Sequence, residues 1–232
     1  FAAAQQWLNQ IDDPDERITL VSRRASLLAR QGKLDEARAM IQAWPTRNPA
    51  EARSKLLAEV HLLRENGQAA TAYELLTQAI QSQPTDTDLL YDQALLAEKL
   101  RDYENMERLL RKLIALKPDY HHAYNALGYS FADRNVRLAE ARTLINKALE
   151  FAPDDPMIRD SLGWVEFRTG NMKKALEILQ SAYKARPDAD IAGPAVCPEG
   201  VSMATIKWQT TQTTATQDTG AGVLHRIVIP TP

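Results

Sequence analysis

His122-Ala123-Tyr124-Asn125-Ala126-Leu127-Gly128-Tyr129 is followed, thirty-five residues on, by Met157-Ile158-Arg159-Asp160-Ser161-Leu162-Gly163-Trp164, with Leu-Gly at the same place in both. Both stretches have helical apolar spacing, and a glycine inside a helix costs about 1 kcal/mol relative to alanine. Gly128 and Gly163 therefore point to a close helix–helix approach. Extending the register places Ala25 and Ala94 in their column, with Val60 as the exception. A second column holds Ala37, Ala72, Ala141 and Ala175, with Met106 as its exception. Pro49, Pro84, Pro118, Pro153 and Pro187 repeat the same period at spacings of 35, 34, 35 and 34. A constant period of this length marks a stacked array of one supersecondary unit.

Within each period the apolar pattern predicts two helices. The first helices fall at residues 18–31, 53–66, 88–100, 122–133 and 156–169, the second at 34–44, 69–81, 103–116, 139–151 and 172–185. Each carries one apolar stripe, as in Leu109, Leu110, Leu113 and Ile114, that only a neighbour can bury. Gly32, Gly67 and Gly170 lie between paired helices, where glycine takes the left-handed conformation that ends a helix. Asp155-Pro156 reads as a cap followed by a first-turn proline, and Asp119 and Asp188 are similarly placed for capping.

Composition bounds the rest. The 232 residues are 44% hydrophobic and 25% charged with a net charge of −2, a globular balance with no basic block, which argues against a duplex or a strongly acidic partner. The single cysteine, Cys197, excludes an intrachain disulfide and a cysteine zinc site. No run of about 18 apolar residues is present, so no membrane-spanning helix is expected. The start at Phe1 rather than Met suggests a fragment.

The columns resemble the tetratricopeptide repeat family. Its pattern is matched by Tyr124, Leu127-Gly128, Ala141, Ala148 and Pro153, with one residue inserted near Val136, and by Leu162-Gly163, Ala175, Ala182 and Pro187. Met106, Leu113, Trp44 and Glu166 depart from it, Glu166 standing where an aromatic is usual. The resemblance implies an all-α, right-handed superhelical solenoid of antiparallel helix pairs. Residues 1–190 form the array, with a partial repeat at 1–17 and five repeats at about 18–189. Residues 191–232, with Gly193-Pro194 and the Thr/Gln-rich stretch at 209–219, read as a low-complexity, mostly disordered tail. An alternative is that the sequence after about Ala192 continues the array out of frame.

In this family the first helices line a concave face that receives an extended peptide or a partner helix. The matching inward columns are Ser26, His61, Leu95, Tyr129 and Trp164, and, one turn earlier, Ser22, Leu57, Tyr91, Asn125 and Asp160. The expected partner-binding residues are Leu57, His61, Tyr91, Leu95, Asn125, Tyr129, Asp160 and Trp164. Tyr91, Tyr129 and Trp164 are of the kind enriched at binding hot spots, although aromatics at this spacing also serve to pack neighbouring hairpins. Asn125 is suited to a ligand's backbone amide. The lysine–asparagine–arginine carboxylate clamp of one subclass is missing, since Ser22, Ser26, Ala58, His122 and Ala126 hold its places. Arg64, Arg168, Glu98, Asp88 and Asp160 make the face mixed in sign.

No catalytic motif stands against this reading. His121-His122 is a solvated helix start, because adjacent helical residues point about 100° apart and do not readily share a metal. Asp154-Asp155 is a junction with a cap, and Cys197 has no histidine near it in sequence. No enzyme activity, metal or cofactor is expected. The stretches at 122–129 and 160–165 further resemble bacterial outer-membrane repeat lipoproteins, one type of which is an adaptor for a carboxyl-terminal processing protease. That implies a periplasmic scaffold, tethered by a lipid outside this sequence, that binds a protein or peptide and not nucleic acid. The array also fits the substrate-recognition arm of a larger enzyme or a cytoplasmic assembly module.

Overall fold

The apolar periodicity resolves into paired helices in the computed structural model, which describes Trp7, Gln10, Ile11 and residues 17–185, with side chains through Ala182. They are α1 (Ile18–Arg30), α2 (Leu34–Ala43), α3 (Pro49–Glu65), α4 (Ala69–Ser82), α5 (Thr87–Lys99), α6 (Tyr103–Leu116), α7 (His121–Asp133), α8 (Leu138–Phe151), α9 (Pro156–Arg168) and α10 (Met172–Ala185). Odd-numbered helices are the first of each pair and even-numbered ones the second. All regular elements among the described residues are helical, as the sequence predicts.

These five pairs close with the same turn. The backbone N–H groups of Lys33, Gln68, Asp102, Val136 and Asn171 donate to the carbonyls of Leu28, Leu63, Ala97, Phe131 and Glu166, five residues back in every case. This wrap requires a left-handed residue just past the helix. Gly32, Gly67 and Gly170 supply it at φ of 82°, 77° and 83°, and Arg101 and Asn135 take the same place at 60° and 56°. The position is thus set by the backbone wrap even where no glycine marks it in the sequence. The turn at 134–137 is one residue longer and absorbs the extra residue with Arg137 at φ 49°.

Helix starts follow their caps. Asp155 accepts from the N–H groups of Met157 and Ile158, as expected, and Asp86 caps α5 in the same way. α3 begins at Pro49, four residues ahead of the predicted start, because Asn48 accepts from the Glu51 N–H and Pro49 needs no donor there. Asp119 does not cap α7. Tyr120 stands at the cap position without a side-chain bond, and the Asp119 carbonyl accepts from the His121 N–H. Asp188, Cys197, the tail at 191–232 and most of 1–17 lie outside the described residues.

The chain divides into two compact units, one ending at Leu109 and the next beginning at Leu110, inside α6. In the first unit α1 packs on α2 and α3, and α4 packs on α3 and α5. Val21, Ala25, Ala37 and Ile41 form one cluster with Leu62 of the following pair, and Val60, Ala72 and Leu76 form another with Leu89 and Leu96. In the second unit α7 packs on α8, α9 on α10, and α9 also lies against both α7 and α8. Both small-residue columns are buried throughout, Val60 and Met106 included.

Polar side chains fix the register between successive pairs. Glu59, nearly buried on α3, accepts from Arg38 Nε at 2.6 Å and Gln42 Nε2 at 2.7 Å on α2, and in the next repeat Gln93 Nε2 donates to Thr77 Oγ1 at 2.8 Å. Lys99 Nζ donates to the Arg64 carbonyl at 2.9 Å, closing the end of α3 from α5. Arg168 does the same from α9, donating to the carbonyls of Ala132 and Asp133 at 3.0 and 2.6 Å. A cation at a helix C-terminus also meets the negative end of the helix dipole.

Glu166, which departs from the family pattern, is fully buried and accepts from Arg142 of α8, from Lys174 of α10 and from Asn171 in the turn between α9 and α10, at 2.9, 2.8 and 2.7 Å. Burial alone would push its carboxyl up, but the Lys174 and Asn171 bonds and the Arg142 charge hold it below its ordinary range. A three-way polar tie thus replaces the aromatic contact.

The glycine column makes a differential prediction. A Cβ on Gly128 would stand 2.9 Å from the Ala141 carbonyl oxygen and 2.7 Å from Ile145 Cγ1, whereas on Gly163 it would meet only side-chain atoms of α10, Leu179 Cγ at 2.6 Å foremost. A leucine can change rotamer, but the α8 backbone cannot move without its helix. Gly128→Ala should therefore destabilise by about 1–2 kcal/mol even after the helix-propensity gain of about 1 kcal/mol, and Gly163→Ala should cost less, because the buried Leu179 side chain has to give way but no backbone does. Urea unfolding of the two variants checks the difference, and equal costs would show that the α7–α8 contact is no stiffer than α9–α10.

Candidate functional site

In the first unit the face shared by the first helices is open. A groove of about 860 Å3 is lined by Ser22 and Ser26 of α1 and by Leu57 and His61 of α3, all from the inward columns read in the sequence. A recess of about 200 Å3 adjoins it through Leu57 and His61 and reaches Arg64, Asp92 and Leu96. His61 is exposed, with Nδ1 3.1 Å from Arg64 Nη2 and Nε2 3.1 Å from the Glu65 carboxylate. Burial raises the Asp92 carboxyl pKa, with the Arg64 charge opposing. Tyr91 and Leu95 are half-buried on α5. Trp7, Arg23 and Arg30 also line the groove. The repeat columns do not single them out, although α1 carries three arginines and no acidic residue.

The second unit is different. Asn125 and Tyr129 of α7 are half-buried, but Asp160 and Trp164 of α9, expected on the open face, are only 3% and 1% exposed. α9 buries residues around its whole circumference, and Trp164 stacks on Phe167 with ring centroids 5.1 Å apart while the Arg168 guanidinium lies over it at 5.2 Å. The aromatic ladder is therefore not a row of exposed rings. Asn125 Oδ1, Ser130 Oγ and Trp164 Nε1 are buried without a hydrogen-bond partner among the described residues. Burial raises the Asp160 pKa to about 7.

The other charges expected on this face are largely engaged. Arg168 holds the end of α7, Asp88 pairs with Arg53 at 3.0 Å, and Arg64 contacts His61. The His121 and His122 rings touch each other at 4.0 Å between centroids, and burial, followed by His121, lowers the His122 pKa. Among the described residues, no group of three or more histidine, cysteine, aspartate or glutamate side chains is placed to hold a metal ion, and no helix is long and apolar enough to cross a membrane.

Comparison with known proteins agrees with this architecture. Residues 91–156 match the tetratricopeptide repeat family. The TPR repeat-containing protein PA4667 of Pseudomonas aeruginosa is 39% identical over 170 residues, which are 73% of this chain and 29% of that protein. The chain thus spans less than a third of that relative's length. Among solved structures, TTC0263, a thermophilic TPR protein of Thermus thermophilus, is similar with a TM-score of 0.59 at 19% identity, over 75% of this chain and 95% of that one. YrrB, described as a TPR protein with an unusual peptide-binding site, has a TM-score of 0.51 at 20% identity over 76% and 90%. MamA from Desulfovibrio magneticus gives 0.55 at 18% over 74% and 96%. These structural likenesses concern the fold. The period, the paired helices, the buried small-residue columns and the family match at 91–156 together show that the chain carries tetratricopeptide repeats.

Proposed function

We propose that the chain is a protein–protein interaction scaffold that receives a peptide or protein segment on the shared face of its first helices. The observation that carries this reading is the groove of about 860 Å3 in the first unit, where α1 and α3 contribute Ser22, Ser26, Leu57 and His61 at equivalent repeat positions. Repeats of this family serve generally as scaffolds rather than catalysts, and a groove that mixes apolar Leu27, Leu57 and Ala58 with serines and charged groups suits recognition of a peptide segment. Leu57 and His61 are the first-unit contacts of this proposal, continued by Tyr91 and Leu95. In the second unit Asn125 and Tyr129 are its half-buried members, while Asp160 and Trp164 are enclosed and Trp164 would act by holding α9 in place. The resemblance of 122–129 and 160–165 to outer-membrane repeat lipoproteins supports a finer proposal, a periplasmic adaptor that brings a processing protease to its substrate.

The test is calorimetric titration of a protein recovered with this chain from a bacterial envelope extract. Leu57→Ala combined with His61→Ala should weaken binding by about 2 kcal/mol, the level of a hot spot, with unchanged helicity. Equal affinity would place the binding surface elsewhere.

A further inference from the structure

The charge along the first-unit groove is more specific than the chain's net charge of −2. Arg23 and Arg30 of α1 both line it and both are exposed. They are seven residues apart, almost two full turns, so they share one face of α1 with about 10 Å between them along the helix. Neither makes an ion pair or hydrogen bond with another described residue. The carboxylate among the described lining residues, Glu65, lies 3.1 Å from His61 Nε2. Leu27 of α1 and Leu57 and Ala58 of α3 line the same groove together with Ser22, Ser26 and Ser54, and Trp7, 72% exposed, also lines it.

We propose that this groove binds an acidic partner segment, with two carboxylates about 10 Å apart reaching Arg23 and Arg30 and an apolar side chain between them seated on Leu27 and Leu57. The inference rests on the interaction reading above and adds the partner's chemistry. A chain-wide charge near zero argues against an acidic partner only if charge is evenly spread, and here the cations and the apolar wall share one groove. A guanidinium suits this role because it offers a planar pair of donors to a carboxylate. The spacing matches a polyproline II segment with acids at i and i+3, which advances about 9 Å over three residues and returns to the same side.

The test uses the full chain and two proline-rich peptides that share a leucine anchor, one with glutamate at i and i+3 and the other with lysine. Fluorescence anisotropy should show the glutamate peptide binding at least about tenfold more tightly than the lysine peptide, with the preference shrinking as salt is raised. Arg23→Glu with Arg30→Glu should reverse the preference, while Arg108→Glu, on exposed α6 surface outside the groove lining, should leave it intact. No binding of the glutamate peptide, or equal binding of both peptides, overturns the proposal. So does a lowered melting temperature of the peptide-free Arg23→Glu variant, because Arg23 would then be serving the chain's own acidic residues Asp12, Asp13, Asp15 and Glu16; Arg30 is left unchanged in this arm because an acid at the end of α1 opposes the helix dipole whatever the groove binds. If a recovered protein partner is sensitive to Leu57→Ala with His61→Ala but not to the charge reversal, this inference fails and the scaffold reading stands. Insensitivity to both removes the two together.

Discussion

Trp164→Ala is expected to lower stability by about 3–5 kcal/mol, the range for deleting a fully buried tryptophan. The side chain is 1% exposed, stacks on Phe167 and lies beneath the Arg168 guanidinium, so its removal leaves a cavity and loosens the arginine that closes α7. Trp164→Phe should cost less than about 1.5 kcal/mol. It keeps a ring against Phe167 and removes the indole N–H, which is buried without an acceptor among the described residues and by itself destabilising by about 1–3 kcal/mol. Urea unfolding followed by far-ultraviolet circular dichroism separates the two, with a fall of about 10 °C in melting temperature expected for the alanine variant. An alanine variant as stable as the wild type would return Trp164 to the surface and to the direct partner contacts. Until stability is matched, lost binding in that variant reports on α9 rather than on a contact.

The sequence made the architecture legible because its strongest signals answer to local geometry. Leu127-Gly128 and Leu162-Gly163 mark close helix approaches, and Gly32, Gly67 and Gly170 mark the left-handed ends of helices. Arg101 and Asn135 hide the same conformation under ordinary side chains, because a five-residue wrap set by packing can impose it at a modest cost. The early start of α3 is also written locally, in Asn48-Pro49, but the repeat period marks that proline only as a boundary.

The candidate site was legible as columns and not as exposure. A position in a repeat says which helix face a residue occupies, whereas its accessibility depends on what the neighbouring helices lay over it. Leu57 and His61 line an open groove, while Asp160 and Trp164, equivalent by register, are enclosed. The Glu166 tie was invisible for the same reason, since its partners come from three separate segments and no one of them is unusual alone. Arg111 on α6 likewise bonds Glu140 at 2.7 Å across to α8, whereas Arg108 bonds Asn105 one turn back on its own helix, so Arg108 is the better control.

Asp160→Asn should stabilise the chain by about 2–4 kcal/mol at pH 8 and by little at pH 4.5. The sign follows from burial, which raises the carboxyl pKa from 3.8 to about 7 with no partner among the described residues to offset it. Between these values the unfolded chain has released the proton and the folded chain has kept it, so stability falls as pH rises from about 4 to about 7 and the full penalty is present above that range. The gap between 3.8 and about 7 corresponds to about 4 kcal/mol at complete ionisation, an upper limit because local relaxation relieves part of the cost. Asparagine keeps the shape and never ionises, so the variant's stability should be flatter across that interval by the same amount. Unfolding free energies at pH 4.5, 6 and 8 give the slope directly. Parallel curves for the two proteins would mean that Asp160 is charged at neutral pH and has found a donor, Trp164 Nε1, one helical turn along α9, being the first to examine.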